Sequence, residues 1–332
     1  MKRTLIVVSM MVIVAAVNVV SSRAQEPATA DNSLPPTQNW AQGNPLKIAL
    51  LKWYQANTVP TSFVVGKTKN SNPYGLAFDG QNIWTANNGE GTVTKLRASD
   101  GAVLGNFDVG GNPFGVVFDG ANVWVTVSPD TIIKMRASDG KALGNFTVGG
   151  GPALPAFDGE NIWVPSASAG TLSKLRASDG KVLGTFTMKG AFAAAFDGDA
   201  VWVTSYGPDT VTKVRPKDGK VLGVFPVGKA PIGVAFDGAN IWVANQTDQT
   251  VSKLRASDGK TLGTFNVPGL PWGVAFDGTN IWVTGVYVDE LRASDGAQVG
   301  WFFRGLSSTT GVAFDGANVW VAESLGNTVN KF

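Results

Sequence analysis

The 332-residue chain carries 27 basic and 25 acidic side chains, 41 Gly and 11 Trp, with no Cys and no His. That composition excludes a disulfide framework, a thiol-anchored lipoprotein, and any chemistry that needs imidazole as base or metal ligand. Removing residues 1–24 takes away Lys2, Arg3 and Arg23 and no acid, leaving 24 basic against 25 acidic residues, so there is no general pull towards nucleic acid.

Lys2 and Arg3 precede an apolar run over residues 5–20, and Ser22 and Ala24 frame a cut before Gln25. This pattern predicts a signal peptide over 1–24 and an exported protein, periplasmic or extracellular. The run is shorter than the ~20 apolar residues of a membrane span, so no stable span is expected after cleavage. Residues 25–43 are rich in Pro, Ala, Thr and Asn without apolar period and are expected to be a flexible linker. In residues 44–57, Asn44 is a good N-cap, Pro45 suits the first helical position, and Leu46, Ala49, Leu50 and Trp53 share a face. A short docked helix is expected there.

From residue 58 onwards one unit repeats. Phe78, Phe118, Phe157, Phe196, Phe236, Phe276 and Phe314 recur 38 to 40 residues apart, and a Trp follows each by six: Trp84, Trp124, Trp163, Trp202, Trp242, Trp282 and Trp320. A period near forty with strand-like content is that of a propeller blade. In the first copy, short apolar runs at 74–78, 83–87, 92–97 and 103–109 are separated by the turns FDGQN, NNGEG and ASDG. The fold expected over 58–332 is therefore all-β, a seven-bladed β-propeller of four-stranded antiparallel blades. The last copy stops after its third strand, while residues 61–66 match the fourth-strand pattern. An N-terminal strand pairing with the C-terminal blade is expected to close the ring and remove the open seam.

The GVAFDG–NIWV pattern, the VG…P-G links and the sevenfold count resemble the bacterial NHL/YVTN-type seven-bladed propellers, including virginiamycin B lyase-like proteins, over residues 61–332. The resemblance implies the fold. It leaves activity open, because that superfamily mixes lyases, lactonases and proteins that only bind. The lyases of the group use His, which this chain lacks.

The FDG and ASDG turns hardly change between copies, whereas the links between blades and the second-to-third loops do, and the sixth loop is three residues shorter. In a four-stranded meander these two loop types emerge on one face, which is the expected binding face. The repeated Trp and Phe are expected to be packing between blades, and the repeated Asp turn chemistry. Four residues before each repeated Phe stand Tyr74, Phe114, Ala153, Phe192, Ile232, Trp272 and Thr310. Variable and aromatic in four copies, these positions are expected to ring the channel mouth; Tyr74, Phe114, Phe192 and Trp272, with Ile232 and Thr310, are the candidate ligand residues.

Three residues after each Trp stand Asn87, Val127, Ser166, Ser205, Asn245, Gly285 and Glu323. Asn87, Asn245 and Glu323 are the candidate ligands for Ca²⁺, a poor hard-cation set with one carboxylate. The expectation is a monomeric, non-enzymatic propeller, without cofactor, that binds an envelope ligand or protein. The alternative is a periplasmic lactonase-like or lyase-like enzyme using a divalent cation at the channel mouth.

Overall fold

The computed structural model describes residues 61–302 and 308–332; the expected signal peptide, linker and helix lie outside the described residues. Every regular element among them is a strand, and the strands form seven four-stranded antiparallel sheets. Six blades occupy residues 73–108, 112–147, 156–187, 191–226, 231–266 and 274–302, each ordered from inner to outer strand along the chain. The seventh takes three strands from 309–331 and its outer strand, Thr61–Val64, from the other end of the described chain.

The closing strand pairs Thr61 with Lys331, Ser62 with Asn330, Phe63 with Val329 and Val64 with Thr328. One further bond, from Val65 N to Asn327 O at 3.1 Å, extends the ladder before Gly66 turns the chain away at φ 79°. The predicted closure is thus observed. Predicted and observed strands of the first blade differ only at their ends: Pro73–Phe78, Asn82–Asn87, Thr92–Arg97 and Val103–Asp108.

FDG–N–W is one mechanical unit. Asp79 Oδ1 accepts the N–H groups of Gln81 and Asn82, forming the turn, while Oδ2 accepts the Trp84 indole N–H at 2.8 Å. The same indole bond recurs in all seven blades at 2.6–2.8 Å. The Asp is therefore turn chemistry, as expected, and also the anchor that orients the Trp, which periodicity alone did not reveal.

The anchored indoles form the packing between blades. Trp84 of the first blade shares a core with Val123, Val125 and Met135 of the second, and Trp320 of the seventh with Ile83 and Leu96 of the first. Burying an indole removes enough surface to favour folding by roughly 4–6 kcal/mol as an upper estimate. The repeated Phe residues lie half-buried at the rims of these cores.

A second device between blades was not visible in the repeat of Phe and Trp. The third-strand Lys of six blades holds its ammonium 5.0–5.5 Å from the indole centre. Lys95 also donates to Ala137 O at 2.6 Å and Ser138 O at 3.2 Å in the next blade, and Lys331 closes the circle onto Ala98 O at 2.8 Å. Each ammonium thus ties a third strand to the following blade's outer turn.

Near the axis the inner strands crowd. A Cβ on Gly75 would lie 2.5 Å from Phe114 O, and one on Gly311 2.1 Å from Tyr74 O, so close backbone approach demands the glycine. In the third blade Leu154 stands where those blades have Gly. There the inner strand contracts to Ala156–Phe157, and Leu154 makes a parallel bridge to Ala193 instead. The blades are consequently less uniform at the axis than the repeat predicts.

Candidate ligand site at the channel mouth

Links and second-to-third loops share a face, as expected, because they hydrogen-bond to each other. Asn88 N donates to Asn72 O at 3.0 Å, Tyr206 N to Gly190 O at 2.7 Å, Gln246 N to Ala230 O at 3.0 Å and Val286 N to Gly269 O at 2.6 Å. Several acids on this face act as loop anchors. Glu90 Oε1 accepts Lys67 N at 2.6 Å and Oε2 accepts Thr68 N at 2.9 Å; Asp209 accepts Ala230 N and Asp248 accepts Lys229 N, both at 2.9 Å. Burial opposes ionisation of Glu90, but hydrogen bonds from Thr92, Lys67 and Thr68 outweigh it and hold the carboxyl below its ordinary range.

Inside this rim the backbone at the mouth is fixed blade by blade. Thr126 Oγ1 donates to Ala153 O and Thr204 Oγ1 to Ile232 O, both at 2.8 Å; Thr284 Oγ1 donates to Thr310 O, and Thr310 Oγ1 to Pro73 O at 3.0 Å. Backbone N–H groups do the same for two others, Leu154 N to Phe192 O at 3.0 Å and Gly233 N to Trp272 O at 2.9 Å. The side chains at these positions are therefore carried on a rigid ring.

The expected circle of seven resolves into two groups. Ala153, Ile232 and Thr310 are buried, at 3–4% exposure. The four aromatics, all half-buried, converge. Ring centres are 5.0 Å apart for Tyr74–Phe114, 6.0 Å for Tyr74–Trp272, and 5.9 Å for both Phe114–Trp272 and Phe114–Phe192. Side chains from the first, second, fourth and sixth blades thus meet in one cluster, with Phe114 touching the other three. Such offset and edge-on contacts are the favoured aromatic geometries. Tyr206, from the fourth blade's loop, extends the cluster against Phe192 at 6.4 Å and is half-exposed. Sequence reasoning missed it, although it is one of only two aromatics in the second-to-third loops.

Two spaces adjoin the cluster. Along the axis a cavity of about 160 Å³ is lined by apolar side chains, among them Leu76, Val116, Leu154, Val234 and Trp272. On the loop face a second pocket of about 220 Å³ is lined by Tyr74, Gln246, Trp272, Val286, Ser308, Thr309 and Thr310, among others. It borders the sixth blade's shortened loop, so the three residues missing there leave room that other loops fill.

The candidate cation residues are used within their own blades. Asn87 Nδ2 donates to Thr92 and Thr94 hydroxyls at 2.9 and 2.7 Å, and Asn245 Nδ2 to Thr250 and Ser252 at 3.0 and 2.9 Å. Glu323 accepts the Thr328 hydroxyl at 2.9 Å. The Asn87 and Asn245 amide oxygens are buried without a hydrogen-bond partner among the described residues, but one neutral oxygen per blade does not make the six- to eight-oxygen shell of Ca²⁺. Among the described residues no three His, Cys, Asp or Glu side chains group as metal ligands. Among the described residues, Asn87, Asn245 and Glu323 thus serve their own blades and do not together make such a shell.

No family model matches the chain, and no curated protein matches it. Among solved structures it is similar to a streptogramin B lyase, with 18% identity and a TM-score of 0.68, over 82% of this chain and 96% of that one. It is likewise similar to a catalytically inactive virginiamycin B lyase from Staphylococcus aureus with quinupristin, at 17% identity and a TM-score of 0.69, over 82% of this chain and 98% of that one. The selenomethionine form of that enzyme gives 16% identity and a TM-score of 0.69, over 82% and 97%. These likenesses establish that the chain has the seven-bladed propeller fold of the virginiamycin B lyase structures, as its repeat motifs suggested.

Proposed function

We propose that the protein is an exported, non-enzymatic propeller that binds an uncharged, partly apolar ligand at the mouth of its channel on the variable-loop face. The observation that carries this reading is the convergence of Tyr74, Phe114, Phe192 and Trp272, from four different blades, into one half-buried aromatic cluster beside an open pocket. Rigid aromatic anchors that remain partly accessible are typical of binding sites rather than of cores. Export is supported by the leader pattern of residues 1–24.

The test compares capture from an envelope extract by the parent protein and by Tyr74→Ala/Trp272→Ala. The parent should retain a ligand that the double variant loses, while the melting temperature falls by only a few degrees, because both side chains lie at the channel mouth rather than between blades. Equal capture by both proteins would refute the assignment. EDTA should leave both capture and melting temperature unchanged; a downward shift would instead favour a cation-dependent enzyme.

A further inference from the structure

The pocket beside the cluster contains a second kind of information, in its polar groups. The Tyr74 hydroxyl, the Gln246 amide and the Ser308 hydroxyl all belong to residues lining it, and none of these three side chains has a hydrogen-bond partner among the described residues. The neighbouring Thr309 and Thr310 hydroxyls are, by contrast, committed to Gly285 O and Pro73 O. The backbone of the mouth is similarly tied between blades. A ligand in this pocket therefore meets Trp272 together with these hydrogen-bonding side chains, and none of the described lining residues is charged at neutral pH.

We infer that the pocket takes a neutral saccharide, a single pyranose or the terminal residue of a glycan, with its apolar face on Trp272 and its hydroxyls on Tyr74, Gln246 and Ser308. This rests on the binding role proposed above and specifies its ligand. A hydroxyl-rich ring with one apolar face matches both halves of the lining. A purely aromatic ligand would desolvate three polar groups without replacing the hydrogen bonds they make to water. An anionic sugar or phosphate would bring a charge to a lining whose described residues hold no cation to pair it. An extended peptide would need a run of free backbone groups, and at this pocket the Trp272 N–H and the Trp272 and Gly285 carbonyls are already taken.

The test is calorimetric titration of the intact protein with glucose, galactose, mannose and N-acetylglucosamine, with glucuronic acid as the charged counterpart of glucose and indole as an apolar probe. At least one neutral sugar should bind and indole should not. If that sugar is glucose, glucuronic acid should bind about tenfold more weakly or less, as expected for an unpaired buried charge. Gln246→Ala, in a surface loop, should weaken sugar binding about tenfold without changing the melting temperature, and Trp272→Ala should abolish it. Binding of indole with no binding of any neutral sugar would overturn the saccharide assignment and leave the binding role standing. If no probe binds although the envelope capture succeeds, the saccharide assignment again falls alone. If capture fails as well, both fall. Sugar binding that is indifferent to Gln246→Ala and Trp272→Ala would place the saccharide elsewhere and overturn the site.

Discussion

Glu290 stands where six blades keep a Lys, and Asp289 precedes it. Asp289 and Glu290 occupy the places of Ser252 and Lys253 in the fifth blade, opposite Val283 and Trp282 of the second strand. Asp289 is only 1% exposed, and its hydrogen bond is from the Gln298 amide at 2.6 Å. Burial pushes its carboxyl up to about 6, against the weaker pull of Gln298. Glu290 is raised by burial and then by the nearby Asp277 carboxylate, with partial relief from the Asn280 amide at 2.7 Å. An acid whose folded-state pKa is raised favours the native state when protonated. Its contribution is fully present below the unfolded value near 4 and is lost as pH rises through 6. Asp289→Asn should therefore raise stability at pH 7.5 by about 2 kcal/mol relative to the parent and change little at pH 4. Urea unfolding at the two pH values checks this, and an equal difference at both would refute it. The acid in place of Lys is written in the sequence; its burial against Asp277 is set by the fold.

At the scale of the strand, Thr61–Val64 shows how the seventh blade reproduces the others from a remote segment. Phe63 stacks on Trp320 at 5.6 Å, the same distance as Phe107 from Trp84 within the first blade. Its ring also seats on Gly101 of the next blade, where a Cβ would come within 1.9 Å of it. Beyond the strand, Glu90 holds the departing chain by Lys67 N and Thr68 N. Phe63→Ala should cost about 3 kcal/mol, from lost burial and the cavity left against Trp320. Deleting residues 61–66 should leave Thr328–Lys331 as an open edge and cause aggregation, measured by light scattering on warming. A deletion that melts as the parent does would show the clasp to be dispensable. The segment was legible because Phe63 and Gly66 repeat the spacing of Phe107 and Gly110, Phe146 and Gly149, and Phe225 and Gly228 in other outer strands. The short inner strands of the third and sixth blades, Ala156–Phe157 and Val274–Phe276, were not, because pairing near the axis depends on the backbone of neighbouring blades, which spacing along one blade does not reveal.

For the whole molecule, period, blade count and closure could be read from the chain because each is a property of spacing. The site was legible by half. That the positions of Tyr74, Phe114, Phe192 and Trp272 vary where their neighbours repeat marked them out, and the structure brings these four together. Their convergence depends on the width of the channel and the direction of each ring, which emerge only once seven blades have closed. The same limit hid the pocket's polar side chains, since Gln246 and Ser308 come from blades five and seven and meet only through the circle.

The pairing of Thr61 with Lys331 has a mechanical consequence. Both strands leave the ladder at the same end, so tension applied to the two flanking segments pulls across the hydrogen bonds rather than along them. Bonds loaded in that direction break in succession, as a zipper opens, instead of sharing the load as they would in shear. The clasp that closes the ring is thus its weakest point under force. Stretched between residue 61 and residue 331 in a force spectrometer, the ring should open first at Thr61–Val64, releasing the outer strand at low force before any other blade yields.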